Sequence, residues 1–115
     1  LDDETVMLLA SDTDVNVLAN ITYSESFKNK ATLDDIKRIL EQNNDASSNI
    51  ISSAGGFKKV SVDEIEQTIK DVVKNPRVLQ TAAQGYDLST AFLEELSQNP
   101  DVSVSSAAKE TLKNR

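Results

Sequence analysis

Apolar residues recur along this chain as pairs spaced i, i+3, and each pair runs into a polar corner. Val6 and Leu9 precede Asp12-Thr13-Asp14-Val15, and Ile36 and Ile39 precede Asn43-Asn44-Asp45-Ala46. Ile69 and Val72 precede Asn75-Pro76-Arg77-Val78, and Leu93 and Leu96 precede Asn99-Pro100-Asp101-Val102. A second apolar stretch follows every corner. The first apolar residues of the four copies lie 30, 33 and 24 positions apart, which is the period of two-helix repeats. Such a unit is too small to bury its own apolar face and must stack on its neighbours. The pattern therefore predicts an all-α chain of four helical hairpins, with repeats at about 1–30, 31–60, 61–87 and 88–115.

Each hairpin divides into a leading and a trailing helix. The leading helices are expected at about Asp3–Ser11, Leu33–Gln42, Val62–Lys74 and Ser89–Gln98. The trailing ones are expected at about Val15–Tyr23, Ala46–Ala54, Arg77–Gln84 and Val102–Lys113. Thr32-x-x-Asp35 and Ser61-x-x-Glu64 read as capping boxes, in which the hydroxyl accepts from an orphan amide and the acid supports the same turn. In the third leading helix, Val62, Ile65, Ile69, Val72 and Val73 share one face and leave Asp63, Glu64, Glu66, Lys70 and Asp71 outside. The trailing helices carry less charge and more Ala and Ser. Val78, Leu79, Ala82, Ala83 and Tyr86 form one apolar stripe, and Val104, Ala107, Ala108 and Leu112 form another. Gly55, Gly56 and Gly85 follow trailing helices, where a left-handed C-terminal cap is easiest for Gly. Pro76 and Pro100 suit the first turn of a helix.

Two connections, Ser24–Ala31 and Gly55–Val60, absorb the length variation between units. Each holds a Phe followed by lysines, and Phe27 and Phe57 are expected to fold over the seam between adjacent hairpins.

Composition narrows the function more than it defines it. The 115 residues suit one domain, and 38% apolar content points to a narrow seam of core. Aromatics make up only 4%, with no Trp, which disfavours base stacking as a binding mode. The net charge of −7 repels a phosphate backbone, and the basic residues are scattered. Nucleic acid and anionic membrane are therefore disfavoured partners. Without Cys or His there is no disulfide, no thiolate or imidazole ligand and no imidazole base, so no cofactor is expected. No signal peptide or membrane-spanning run is legible, and the compartment stays open. The first residue is Leu1, which reads as an excised piece of a longer protein.

The Asn-Pro corners, with Leu-x-x-Leu before them and an Ala pair after, carry a family resemblance. The stretch from Leu93 through Asn99-Pro100-Asp101-Val102 to Ala107-Ala108 resembles HEAT-like helical repeats, especially the leucine-rich repeat variant type. The unit around Asn75-Pro76-Arg77-Val78 also fits. The first two units depart from the pattern, with Thr13 and Asn44 at the Pro position. The resemblance implies a right-handed α-solenoid and a protein-binding role, with no catalytic residues to carry over. Some relatives bear a cysteine-ligated iron–sulfur cluster, which this cysteine-free chain lacks the ligands to hold.

Candidate chemistry is sparse. Asp12-Thr13-Asp14-Val15-Asn16 starts like a calcium loop but has Val17 and Tyr23 where that loop needs Gly and a bidentate Glu. Asp2-Asp3-Glu4, Asp34-Asp35, Asp63-Glu64 and Glu94-Glu95 lie near the starts of leading helices, where the helix dipole favours acids. Aligned in a stack, they would also form an acidic ridge. Ser47-Ser48 and Ser105-Ser106 have no activating partner, and Gly55-Gly56-Phe57-Lys58-Lys59 lacks phosphate-loop spacing.

The expected function is thus a non-catalytic protein–protein interaction or scaffold module, binding another protein or other domains of the same parent chain. Stacked hairpins expose one row of helices along a continuous face. The trailing row offers Asn16, Asn20, Asn49, Gln80, Gln84, Ser103 and Ser106 as its polar candidates. Weak self-association through the apolar ends of the stack is also expected. The alternatives are a nucleic-acid-binding HEAT-like module, which needs a basic face, and a compact regulatory bundle, in which helices surround a common core.

Overall fold

Hydroxyl, amide and carboxylate side chains decide where the helices of this chain begin. A computed structural model describes residues 3–9, 18, 20–22, 24–85 and 87–115, and helix is the only regular secondary structure among them. The helices are α1 (Asp3–Leu9), α2 (Glu25–Lys30), α3 (Leu33–Leu40), α4 (Asp45–Ser52), α5 (Val62–Val72), α6 (Pro76–Ala83), α7 (Thr90–Leu96) and α8 (Val102–Lys113), with a 3-10 turn at Ala54–Gly56. The expected helix at Val15–Tyr23, the calcium-like stretch from Asp12 to Asn16, and Tyr86 lie wholly or mostly outside the described residues.

Both expected capping boxes form. Thr32 Oγ1 accepts from the Asp35 amide while the Asp35 carboxylate accepts from the Thr32 amide, and Ser61 and Glu64 repeat the exchange. Asn44 and Ser47 make a third box at the start of α4. Asn75, Ser89 and Asp101 accept from first-turn amides of α6, α7 and α8. Pro76 takes the first turn of α6, as its fixed φ suits. Pro100 differs from expectation: Asp101 is the N-cap of α8, so Pro100 stands just outside the helix.

Three further expectations are corrected. Ser24–Ala31 is not an irregular connection. Ser24 caps the six-residue α2 by accepting from the Phe27 amide at 3.1 Å, and a helix this short shows no apolar period. No described Gly has a positive φ. The left-handed position belongs to Asn43, at φ 51°, in the α3–α4 corner. Glu66 does not face solvent; it is only 7% exposed and lies between α5 and the start of α7.

Apolar seams then dock helix on helix. Ile36, Ile39, Ile69 and Leu93 are fully buried and Leu96 nearly so. The side chains of Val6 and Leu9 lie outside the description. α3 packs on α4 and on α5; α4 packs on α6, α6 on α8, and α7 on α8. Side chains join α5 to α7: Lys70 Nζ lies 2.8 Å from Glu95 and 5.8 Å from the centre of the Phe92 ring. Two rows result, α3–α5–α7 and α4–α6–α8. Phe27 of α2 and Phe57 meet edge to face at 5.9 Å, and both are buried. Such a contact is worth about 0.5–1.5 kcal/mol beyond area burial.

Polar bonds also join helices that are distant along the chain. Asn43 Oδ1 accepts from the amides of Lys74 and Asn75, and its Nδ2 donates to the Val72 carbonyl. Thr81 meets Ser48, Ser89 meets Glu66, and Thr111 donates to the Ala83 carbonyl. These bonds join residues 23 to 33 positions apart, close to the 24 to 33 spacing of the last three apolar pairs. The chain measures 41 × 24 × 20 Å with a radius of gyration of 13.8 Å, longer in one direction than a sphere of helices would be.

Candidate functional site

The α4–α6–α8 row brings polar side chains of three helices onto one surface. On α4, Asp45, Ser48 and Ser52 follow at i, i+3, i+7; on α6, Arg77, Gln80, Thr81 and Gln84 follow at i, i+3, i+4, i+7. Both sets share a helical face, so the two helices oppose polar stripes across their seam. A groove of about 310 Å³ runs between Asp45 and Ser48 on one wall and Arg77 and Gln80 on the other. A second groove of about 610 Å³ continues past Ser52 and Gln84 to Glu110, Thr111 and Asn114 of α8. Thr81 and Gln84 border both.

Some of these polar groups hold the row together and others are open to a partner. Thr81 Oγ1 lies 3.4 Å from Ser48 Oγ and donates to the Arg77 carbonyl, and Thr111 Oγ1 donates to the carbonyls of Ala83 and Ala107. Their hydroxyls stitch the helices. Among the described residues, no intramolecular bond engages the side-chain amides of Gln80 and Gln84. Charge is balanced along the row, with Asp45 and Glu110 against Arg77 and Arg115. Arg115 is itself held at the far end, donating to the Leu88 carbonyl at 2.6 Å and to Thr90 Oγ1 at 3.2 Å.

The expected binding residues are placed unevenly. Gln80 and Gln84 come together at the grooves. Ser103 and Ser106 are exposed on α8 but border neither groove, and Asn49 is half-buried on α4. Asn20 is exposed, and Asn16 lies outside the described residues. The sequence reading missed Asp45, Ser48, Arg77 and Asn114. Stepping three and four residues from Gln80 and Gln84 reaches Arg77 and Thr81, so helical period carried part of that signal. Which face of α4 opposes them depends on packing.

The opposite row is acidic. Asp34, Asp63 and Glu64 are exposed in the first turns of α3 and α5. Glu94 and Glu95, expected near a helix start, are instead exposed in the last turn of α7, because Ser89 caps that helix only five residues before Glu94. Several are engaged locally: Asp35 and Glu64 in capping boxes, Asp35 with Arg38, and Glu95 with Lys70. Among the described residues there is no cluster of three metal-ligating side chains, and no helix long and apolar enough to cross a membrane. Comparison with protein-family models, with curated proteins and with solved structures returns no match.

Proposed function

We propose that this chain is a non-catalytic protein-interaction module, a right-handed solenoid of stacked helical hairpins that binds a partner along the α4–α6–α8 row. The single observation behind this reading is the continuous polar stripe over Asp45, Ser48, Gln80, Thr81 and Gln84, with two glutamine amides unengaged. Hydroxyls and primary amides both donate and accept, so the stripe matches peptide backbone and neutral polar side chains. The stacking half of the reading draws on contacts that step from α3 to α5 and from α4 through α6 to α8, and on bonds spanning about one expected repeat. The sequence resemblance to HEAT-like and leucine-rich repeat variant units agrees with it. Weak self-association through the ends belongs to the same picture: Met7 and Leu112, expected at the two ends, are only partly buried, and Leu8 beside Met7 is 70% exposed.

Selection of displayed peptides on the immobilised chain tests the reading. Enriched peptides should lose at least about tenfold in affinity when Gln80 and Gln84 are both changed to Glu, a loss of roughly 1.4 kcal/mol. The same peptides should bind normally after Asp34→Asn and Asp63→Asn on the acidic row. Selected binders that respond only to the acidic-row changes would overturn the assignment of the face. Single-stranded DNA binding at physiological salt would favour the nucleic-acid reading instead.

A further inference from the structure

We propose that the seam between α5 and α7 holds a second docking groove, for an extended peptide that places one aliphatic side chain beside carboxylates. The corner-to-corner bonding has a gap. At the α3–α4 corner, Asn43 reaches across to the amides of Lys74 and Asn75, and Asn75 Nδ2 returns to the Asn43 carbonyl. Among the described residues no side chain repeats that crossing at the next corner, where Asn75 is the N-cap of α6. Asn75 Oδ1 accepts from its own Arg77 amide, and Asn99 Oδ1 accepts from the Asp101 amide. Where a second crossing would lie, a groove of about 330 Å³ opens instead.

The lining of the groove selects its occupant. Val73, Leu79, Phe92 and Leu96 make an apolar floor, most of it already buried, which leaves room for one aliphatic side chain. The rim carries two cations, Lys70 and Lys74, against one acid, Glu95, in a chain whose net charge is −7. Lys70 is fixed between Glu95 and the Phe92 ring. Among the described residues the Lys74 ammonium and Asn99 Nδ2 have no partner, and both are donors. Two unengaged donors beside an apolar floor suit a carboxylate following an aliphatic residue. Glu95 repels a carboxylate on the Lys70 side and directs it to Lys74. A nucleic-acid backbone would need more cations than the one left unpaired. This groove shares no lining residue with the two grooves of the α4–α6–α8 row, so it stands or falls independently of that row.

Titration of the ¹⁵N-labelled chain with the peptide acetyl-Gly-Leu-Asp-Glu-Gly-amide, followed by amide chemical shifts, tests the proposal. Saturable shifts should centre on Lys74, Leu79, Leu96 and Asn99, with a dissociation constant on the order of 1 mM, in keeping with one buried aliphatic group and one charge-assisted pair. Lys74→Gln should weaken binding at least about threefold and Lys74→Arg should restore it. The exposed position of Lys74 leaves the melting temperature of both variants near that of the parent. Equal binding of the Leu-to-Ser or Asp-Glu-to-Asn-Gln peptides would overturn the proposal, as would the absence of saturable shifts. Groove shifts that follow protein concentration without peptide would overturn it in favour of a second copy of the chain.

Discussion

At Asn43 the backbone enters the left-handed region while the side chain bonds the Lys74 and Asn75 amides and the Val72 carbonyl. Asn tolerates that φ better than other non-Gly residues, so one side chain satisfies both the turn and the crossing. Asn43→Ala should therefore destabilise by about 2–3 kcal/mol, the sum of a strained φ and lost bonds. Asn43→Gly relieves the backbone and should cost about half as much; urea denaturation of the pair checks the ordering. Glu66 is the other residue whose role departs from its chemistry. It shares a helical face with Val62, Ile69 and Val73, and its carboxylate accepts from the Ser89 amide and hydroxyl, each at 2.8 Å. From the sequence it is expected outside, whereas the structure turns it into the seam. Glu66→Ala should cost about 2–3 kcal/mol because the Ser89 amide is left unsatisfied, and a double-mutant cycle with Ser89→Ala should return a coupling of about 1 kcal/mol.

Among the elements, α5 was the most legible. Its capping box, its apolar face and most of its polar residues are where the spacing put them, because a cap and a 3.6 period act within one helix. Ser61→Ala should cost about 1 kcal/mol by thermal denaturation, the usual loss for a capping hydroxyl. The connection after α6 was less legible. Gly85 does not adopt a left-handed cap; a Cβ there would lie 2.9 Å from Leu88 Cδ1 and 3.2 Å from the Ala82 carbonyl oxygen. The constraint is thus close approach to a buried side chain. Gly85→Ala should destabilise by about 1–3 kcal/mol, and Leu88→Ala in the same chain should remove most of that increment. A purely conformational glycine would show no such rescue. α2 escaped detection because a single Phe in six residues gives no period, and only Ser24 signalled its start.

At the scale of the molecule, stability should follow whether a helix is flanked on both sides within its row. α5 touches α3 on one side and bonds Ser89 and Glu95 at α7 on the other, while α6 lies between α4 and α8. α8 ends its row, with α6 as its one neighbour within the row and α7 across from it. Hydrogen exchange should accordingly give the strongest amide protection in α5 and α6 and weaker protection in α8, graded over about 1–3 kcal/mol of opening free energy. Uniform protection would point to one shared core and to the compact bundle. Phe92 joins α7 to this interior at 2% exposure, so Phe92→Ala should cost about 3–5 kcal/mol by urea denaturation.

Local rules written in the chain determined its all-helical character, its capped helix starts and the burial of Ile36, Ile69 and Leu93. Each depends on residues within a turn or two of one another, so spacing alone reports it. Tertiary structure decided which polar residues became seams and which became surface. Glu66 is buried because the start of α7 arrives above it, and Gln80 and Gln84 border grooves because α4 and α8 flank α6. Those outcomes depend on the angle and offset between hairpins, set by side chains some 23 to 33 residues apart, and no local period encodes them.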